Sequence, residues 1–422
     1  RLKDQFIKYN SEFITNNPEE ADYIWYIAPW NYSFIPKGYS KNKWFNNFKI
    51  RASYGEVGSV SSVSNFASLS TFGSGQYGLG NPTLFFSQAG NKDLQWEKSE
   101  KFDIGASFAI LKNKVNIEIG YYKTNLTDLV IDVPTPPSLG IPGNTISANA
   151  ASMYNKGIEL AINASIIEKK DFSWNVNFNL TTQKNEVTAL APGVPEIVGT
   201  TQLERTNITK VGYQLGSFFL VRTNGVDPAT GRRVFVNAAG QEVLFDFSNP
   251  TAAQRWRFRD GTVAPAIDLS KDGYIAGNAL PTVYGGFNNS FSYKHFDLAI
   301  DMYYSLGNSV YFGSRAGLLD QRFWNNTTDV LNRWQKPGDV TNIPKVVFND
   351  NISNGSSIPM DANLYNADFV KFRSITLGYS LPERATEKIK LSAARFYVQA
   401  FNPFVITNYP GADPEISVNG AS

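Results

Sequence analysis

Hydrophobic and polar residues take turns along most of this chain. Phe102, Ile104, Ala106, Phe108 and Ile110 fall on one side of an extended segment, with Lys101, Asp103, Gly105 and Ser107 on the other. Beyond Lys112-Asn113-Lys114, Val115, Ile117, Ile119 and Tyr121 alternate with Asn116, Glu118, Gly120 and Tyr122. The same period returns in Ile158, Leu160, Ile162, Ala164 and Ile166, and again in Trp174, Val176, Phe178 and Leu180. It recurs in Phe287, Asn289, Phe291 and Tyr293, in Phe296, Leu298, Ile300, Met302 and Tyr304, and in Ile375, Leu377 and Tyr379. Phe396, Val398 and Ala400 carry it near the end. Successive side chains of a strand point to opposite faces, so a period of two predicts strands, here joined in hairpins by short charged turns.

Strand length and the spacing of the connections narrow the fold class. The segments reach about ten residues, beyond the five or six usual in soluble sheets and close to the span of a bilayer-crossing strand. Short turns alternate with long connections: Asp132 to Tyr154, Ala191 to Tyr213, Gly225 to Leu280, and Gly307 to Asn366. Turns on one side and long loops on the other are the layout of an outer-membrane barrel. Tyr121, Tyr122, Trp174, Tyr293, Phe296, Tyr303 and Tyr304 lie near strand ends, where interfacial aromatic girdles belong. A soluble β-sandwich also alternates, but it turns every 8–12 residues or so on both sides, unlike this chain.

The reading is therefore all-β: a transmembrane antiparallel β-barrel, with segments around Phe48, Phe102, Val115, Ile158, Trp174, Phe287, Phe296, Ile375 and Phe396 as neighbouring strands of one wall. Ile104, Phe108, Ile117, Leu160, Ile162, Val176, Phe178, Leu298 and Ile300 are expected to face lipid. Asp103, Glu118, Glu159, Asn163, Asn177, Asp297 and Asp301 are expected to face the lumen. Residues 1–45 alternate poorly and stay unplaced. The stretch from Gly225 to Val243 reads as a small hairpin, with an Asp-Pro turn signal and an Ala-Ala-Gly return.

Composition agrees with that picture. The chain has 422 residues, 42% hydrophobic, 14% aromatic and only 18% charged. A net charge of +2 gives no basic excess for nucleic acid. The absence of Cys excludes disulfides and thiolate metal sites, and the single histidine, His295, excludes a two-His metal motif. No run approaches the roughly 18 apolar residues of a membrane helix. The opening RLKDQFIKYN has neither an initiator Met nor an apolar signal region, so the chain reads as a piece of something larger.

No catalytic, cofactor or metal constellation emerges. His295 falls in a short turn. Asp260 with Asp268, and Asp413 with Glu415, could be paired carboxylates for glycoside hydrolysis, but Asp260-Gly261 and Asp413-Pro414 are better read as turn signals. The long loops hold the more informative residues. Trp256 between Arg255 and Arg257, and Phe323-Trp324-Asn325-Asn326, combine flat apolar faces with hydrogen-bonding groups, as sugar or peptide recognition requires. Trp334 sits in an Arg-Trp-x-x-Pro-Gly setting suited to a rigid turn. Trp256, Arg257, Trp324, Asn325 and Trp334 are thus candidates for substrate or lid contact. The plainer alternative is that these aromatics pack the loops themselves.

An ordered series of motifs carries a resemblance. It runs through Phe48-Lys49-Ile50-Arg51-Ala52-Ser53-Tyr54-Gly55-Glu56, Asn91-Lys92-Asp93-Leu94-Gln95-Trp96-Glu97 and Tyr121-Tyr122-Lys123-Thr124. It continues through Met153-Tyr154-Asn155-Lys156-Gly157-Ile158-Glu159-Leu160, Gly277-Asn278-Ala279-Leu280-Pro281 and Arg333-Trp334-Gln335-Lys336-Pro337-Gly338-Asp339. Ile375-Thr376-Leu377-Gly378-Tyr379 and Ala400-Phe401-Asn402-Pro403-Phe404 close it. Together these resemble the C-terminal half of SusC/RagA-type TonB-linked outer-membrane receptors. The family usually has Asn-Leu-Phe where this chain has Asn402-Pro403-Phe404, and a proline cannot donate to a ladder there.

The resemblance implies a 22-stranded barrel in the outer membrane of a Gram-negative bacterium, of which residues 1–422 would be the C-terminal part. The plug domain and the final strand would lie outside this sequence. It further implies import of oligosaccharides or peptides with a SusD-like surface lipoprotein and TonB, amid membrane lipid and lipopolysaccharide, without cofactors, enzymatic activity or nucleic acid. The alternative is a barrel that serves as a surface interaction or assembly scaffold without transport.

Overall fold

The computed structural model describes residues 30–32, 45–59, 66–77, 80–198, 206–322 and 325–415. β1 (Trp30–Tyr32) pairs with β2 (Phe45–Ser59). A hairpin of β3 (Thr71–Tyr77) and β4 (Asn81–Gln88) then precedes β5 (Glu97–Ile110). β6 (Val115–Pro134), β7 (Thr145–Glu168) and β8 (Phe172–Thr182) follow, and β9 (Lys184–Leu190) pairs with the outer part of β7 after a break at Gln183. Next come β10 (Glu196–Val198), β11 (Asn207–Lys210), β12 (Ser217–Val226) and β13 (Arg233–Val236). With β14 (Glu242–Phe245), β15 (Trp256–Phe258) and β16 (Gly273–Gly277) they make a separate 7-stranded sheet. β17 (Val283–Tyr293) and β18 (Phe296–Leu306) rejoin the wall, while β19 (Ser309–Tyr311) and β20 (Leu364–Asn366) form a small ribbon. β21 (Phe369–Ser380), β22 (Arg395–Phe401) and β23 (Val405–Thr407) complete the order.

The wall is a 12-stranded antiparallel sheet in the order β1-β2-β5-β6-β7-β8-β17-β18-β21-β22, with β9 beside β7 and β23 beside β21. All nine segments expected in the wall are in it, and in chain order. Register fixes which side chains share a face. Phe48, Phe108, Ile117, Ile162, Phe178, Phe287 and Met302 stand opposite one another across successive strands. On the other face Asn116, Asn163, Asn177, Asn288, Asp301 and Ser374 form a polar row.

Several charges on the polar face are paired along the sheet. Arg51 lies across Gly105 and Gly120, within 3.5 Å of the Asp103 carboxylate and 3.3 Å of Glu118. Asp297 pairs with Arg395. Parity corrects two aromatic assignments: Tyr122 and Tyr303 stand opposite Asp103 and Lys371 respectively, so they belong to the polar face and not to an outer girdle. Within the apolar band of the opposite face stands the amide Asn289, and the Trp174 indole N–H donates to it at 3.2 Å. An unpaired amide in hydrocarbon would cost several kcal/mol, of order 2–7, so the indole supplies what lipid cannot.

Tight packing within the wall depends on missing side chains. Tyr304 stands opposite Gly285, and its hydroxyl donates to the Asn179 carbonyl at 2.8 Å. A Cβ on Gly285 would come within 2.0 Å of that carbonyl and 2.6 Å of the hydroxyl.

The connections fall as the loop-length asymmetry predicts. Residues 111–114, 169–171 and 294–295 close short turns at one end, and a short helix, Glu383–Lys388, bridges β21 to β22 at that same end. The two longest connections, between β8 and β17 and between β18 and β21, leave from the opposite end. The expected long loop from Asp132 to Tyr154 is different in kind. β6 and β7 stay paired out to Pro134 and Thr145, so only residues 135–144 turn. At 20 and 24 residues these strands are about twice what a bilayer needs, and their outer halves stand beyond it. β22 ends at Phe401, the ladder is interrupted around Pro403, and the chain then runs on in the same direction along β21 as β23.

Candidate functional site

The two longest connections fold together into a cap with its own core. Val221, Phe235, Val243, Phe245, Trp256, Ala264, Ile267 and Met360 form one buried cluster, drawing on both connections. The expected hairpin from Gly225 to Val243 is a three-strand meander, β12-β13-β14, closed by turns at Asp227–Arg232 and Asn237–Gln241. Asp227 accepts from the Thr230 backbone N–H at 3.1 Å and from its hydroxyl, as the Asp-Pro signal implied.

Trp256 is 8% exposed, wedged against Phe245 at 4.5 Å and Phe235 at 5.3 Å between ring centroids. This candidate contact is corrected: the ring belongs to the cap's core and has no surface to offer a ligand. Arg233 on β13 is buried as well, donating to the carbonyls of Ser353 at 2.8 Å, Asn342 at 2.8 Å and Gly225 at 3.3 Å. Burial pulls its pKa down to about 10, so the guanidinium stays charged at neutral pH.

Trp334 fastens one connection to the other. Its indole N–H donates to the Pro228 carbonyl at 2.8 Å. The ring lies flat on Gly231, whose φ is 71° and where a Cβ would sit 2.4 Å from the indole. Two backbone bonds flank it, Gly338 N–H to Pro228 and Lys345 N–H to Gly231, both 2.9 Å. Asp339 accepts from the backbone N–H groups of Gln335 and Lys336, which hold its pKa below the usual carboxylate range and stiffen the turn.

The remaining candidates divide. Arg257 lies at the cap surface, bonded to Gln254 and to the Gly261 carbonyl. Asn325 is exposed, and Trp324 lies outside the described residues. Asp260 and Asp268 accept from Thr262 and Ser270 in local turns, and those bonds depress both pKa values. Such a pair stays ionised and offers no general acid. His295 is exposed in its turn, as expected.

Residues not singled out from the sequence also meet here. The Arg222 guanidinium stacks 4.3 Å from the centre of the Tyr274 ring, and the Tyr274 hydroxyl donates to Asp361 at 2.9 Å. Thr223 occupies the other Asp361 oxygen through its N–H at 2.9 Å and its hydroxyl at 2.6 Å. Arg222 therefore presents an oriented, exposed guanidinium edge. Only tertiary pairing of β12 with β16 reveals it, since 52 positions separate Arg222 from Tyr274 (274 − 222). Nearby, Arg259 bridges Asp227 and Glu242, and its hydrogen bond, aided by Asn224, lowers the Glu242 pKa. Asp246 is pushed upward by burial but more strongly downward by the Ser248 hydroxyl, Lys345 and Arg232, ending below the usual range.

Apolar side chains also remain uncovered on the second connection: Leu331, Val346, Phe348 at 74% exposure and Val340 at 90%. Below the cap, Lys371 pairs with Asp413 and Glu415 at 2.8 Å each, and Arg373, placed by a bulge in β21, pairs with Glu415 and stacks on Tyr303. That pairing accounts for both carboxylates.

Residues 31–289 match the family described as TonB dependent receptor-like, beta-barrel. The chain is 27% identical to TonB-dependent receptor P3 of Formosa agariphila over 387 residues, covering 87% of this chain and 36% of that protein. It is 27% identical to TonB-dependent receptor SusC of Bacteroides thetaiotaomicron over 399 residues, covering 88% of this chain and 35% of SusC. Among solved structures, the RagAB peptide transporter superposes with a TM-score of 0.75 at 25% identity, covering 92% of this chain and 40% of that one. The chain thus spans a little over a third of the length of the curated relatives it matches.

Proposed function

The chain belongs to the TonB-dependent receptor-like β-barrel family, and on that premise we propose that it supplies wall and outer cap to an importer in the outer membrane of a Gram-negative bacterium. Receptors of this family are transporters and not enzymes. The substrate is an oligosaccharide or peptide, brought in with a SusD-like surface lipoprotein above and TonB below. RagAB, which superposes on this chain, is a peptide transporter, and that likeness supports keeping peptides in the range.

The observation that carries the reading is the one-sided cap. The two longest connections leave the same end of the wall, share a core and are clamped by Trp334. A folded vestibule of this kind suits selective capture better than a passive pore. Arg257, Asn325 and Trp324 are proposed to meet substrate, joined by Arg222 on Tyr274, whose free edge suits a carboxylate or hydroxyl pair. The Trp334 turn and the exposed Leu331, Val340 and Phe348 are proposed to meet the lipoprotein.

Growth tests this directly. Cells depending on one oligosaccharide or peptide should need both the complete receptor and TonB, and Arg222→Ala with Trp324→Ala should slow uptake while barrel assembly is unchanged. Normal growth without TonB on every such nutrient, with the lipoprotein still bound, would mean a surface scaffold and not an importer.

A further inference from the structure

Three lysines stand shoulder to shoulder across the apolar face of the wall. Lys123 is in register with Lys156, and Lys156 with Lys184. The same row continues on the other side into Phe102 and Tyr54. One step nearer the short turns, Tyr121 and Ile158 are exposed apolar residues on the same face. The lysines therefore begin where the apolar band ends.

Depth follows from strand geometry. Lys123 lies ten residues beyond Asn113 of the short turn (123 − 113). At about 3.3 Å per residue and a tilt of 35–45°, that is roughly 25 Å of height, the thickness of an outer-membrane barrel's apolar band. The ammonium groups thus reach the level of the outer-leaflet head groups.

Like charges directly opposite each other destabilise a sheet unless something neutralises them. The protein neutralises only part of this row. Lys184 pairs with Glu186 at 3.4 Å. Glu186 also accepts from the Tyr154 hydroxyl at 2.8 Å, and the Tyr154 ring lies 5.0 Å from the Lys156 ammonium and 6.0 Å from that of Lys123. The other charges on this face, one step further out, are Glu56 and Glu100, and Asn125 occupies Glu100 at 3.3 Å. Among the described residues, neither Lys123 nor Lys156 has a carboxylate partner within ion-pair distance.

We propose that Lys123, Lys156 and Lys184, with Tyr154 as their aromatic backing, bind the phosphate group of an outer-leaflet lipid. An ammonium pair facing a phosphate ester is charge-assisted on both sides, and Tyr121 and Ile158, one step nearer the short turns, would lie along the lipid's acyl chains. The proposal rests on the wall crossing the outer membrane and is independent of what the protein imports.

The complete receptor, reconstituted in phosphatidylcholine nanodiscs doped with bisphosphorylated lipid A or its dephosphorylated form, provides the test by native mass spectrometry of retained lipid. The wild type should prefer the phosphorylated lipid. Each Lys→Gln change in the row should reduce that preference about fivefold, whereas Lys169→Gln with Lys170→Gln, at the opposite end, should leave it unchanged. The Lys→Arg triple variant should keep it, which separates lost charge from a damaged strand. An unchanged preference in the Lys→Gln triple variant, folded by circular dichroism, would overturn the proposal. So would displacement of the lipid by equimolar inorganic phosphate, which would assign the row to a soluble anion.

Discussion

Wall and cap are both antiparallel β-structure, yet they hide opposite things. In the wall, large apolar side chains stand in the open, Phe102 at 41% exposure and Leu377 at 52%, while the other face carries asparagines and several paired charges. In the cap, Phe235 and Val243 are fully buried, and charged groups take the surface or, like Arg233, are enclosed by carbonyls. The difference is one of solvent. A sheet bathed by lipid gains nothing from burying hydrocarbon against itself, because lipid tails are as apolar as its side chains. Its order comes instead from a continuous ladder of backbone bonds. The cap stands in water and needs a core.

Substitutions should therefore have different consequences in the two regions. The largest effect is expected in the cap, where Trp256→Ala removes the centre of the core and should cost about 3–5 kcal/mol. Limited proteolysis should then cut the connections readily, while the heat-modifiable migration of the barrel stays as in the wild type; loss of both would mean that wall and cap fold as one unit.

Next comes the wall. Val176 faces lipid about midway between the short turn and the outer end of β8, so Val176→Lys should cost about 2–4 kcal/mol in folding titrations into bilayers. Proteolysis of an already folded cap should not change. Equal tolerance of lysine and valine there would remove this face from the membrane.

Acid should act on the cap alone. Hydrogen bonds and neighbouring cations hold Asp246 and Asp339 below their unfolded pKa. Their contribution is fully present above the unfolded value of about 3.9 and disappears as pH falls through the lower folded value. Cap protection from protease should thus be flat from about pH 8 to 5 and decline only below about pH 4, measured with an acid-active protease.

The smallest effect is expected at the clamp. Trp334→Phe keeps the ring on Gly231 but loses the bond to the Pro228 carbonyl, for about 0.5–1.5 kcal/mol. Hydrogen exchange at Gly338 and Lys345 should speed up, with the core around Val221 unaffected.

The local alternation was sufficient to identify the nine longer wall strands and the face of each side chain tested against register, because a strand's period of two is a property of its own backbone; the short β1, β9 and β23 escaped it. Tyr122 and Tyr303 fall off the apolar series in the sequence itself; their place near strand ends alone suggested a girdle, and register keeps them on the polar face. Alternation could not stop β6 and β7 at the membrane surface: beyond the bilayer both strands continue with side chains that read as loop, held by pairing with each other. The site was less legible. Arg257 and Asn325 lie at the surface as expected, but Trp256 is interior, since a tryptophan between two arginines looks alike in a binding loop and in a small core.

What the sequence by itself determined is the material of each surface: which residues can face lipid, which can face water, and where the chain must turn. Those are short-range properties, set by neighbours one or two positions away. Only the tertiary structure decided which distant pieces share a surface. Trp334 rests on Gly231, Arg222 on Tyr274, and Lys123, Lys156 and Lys184 line up in one row. Such partners are chosen by strand register and loop closure, and a shift of one residue in either would turn each of these side chains to the opposite face.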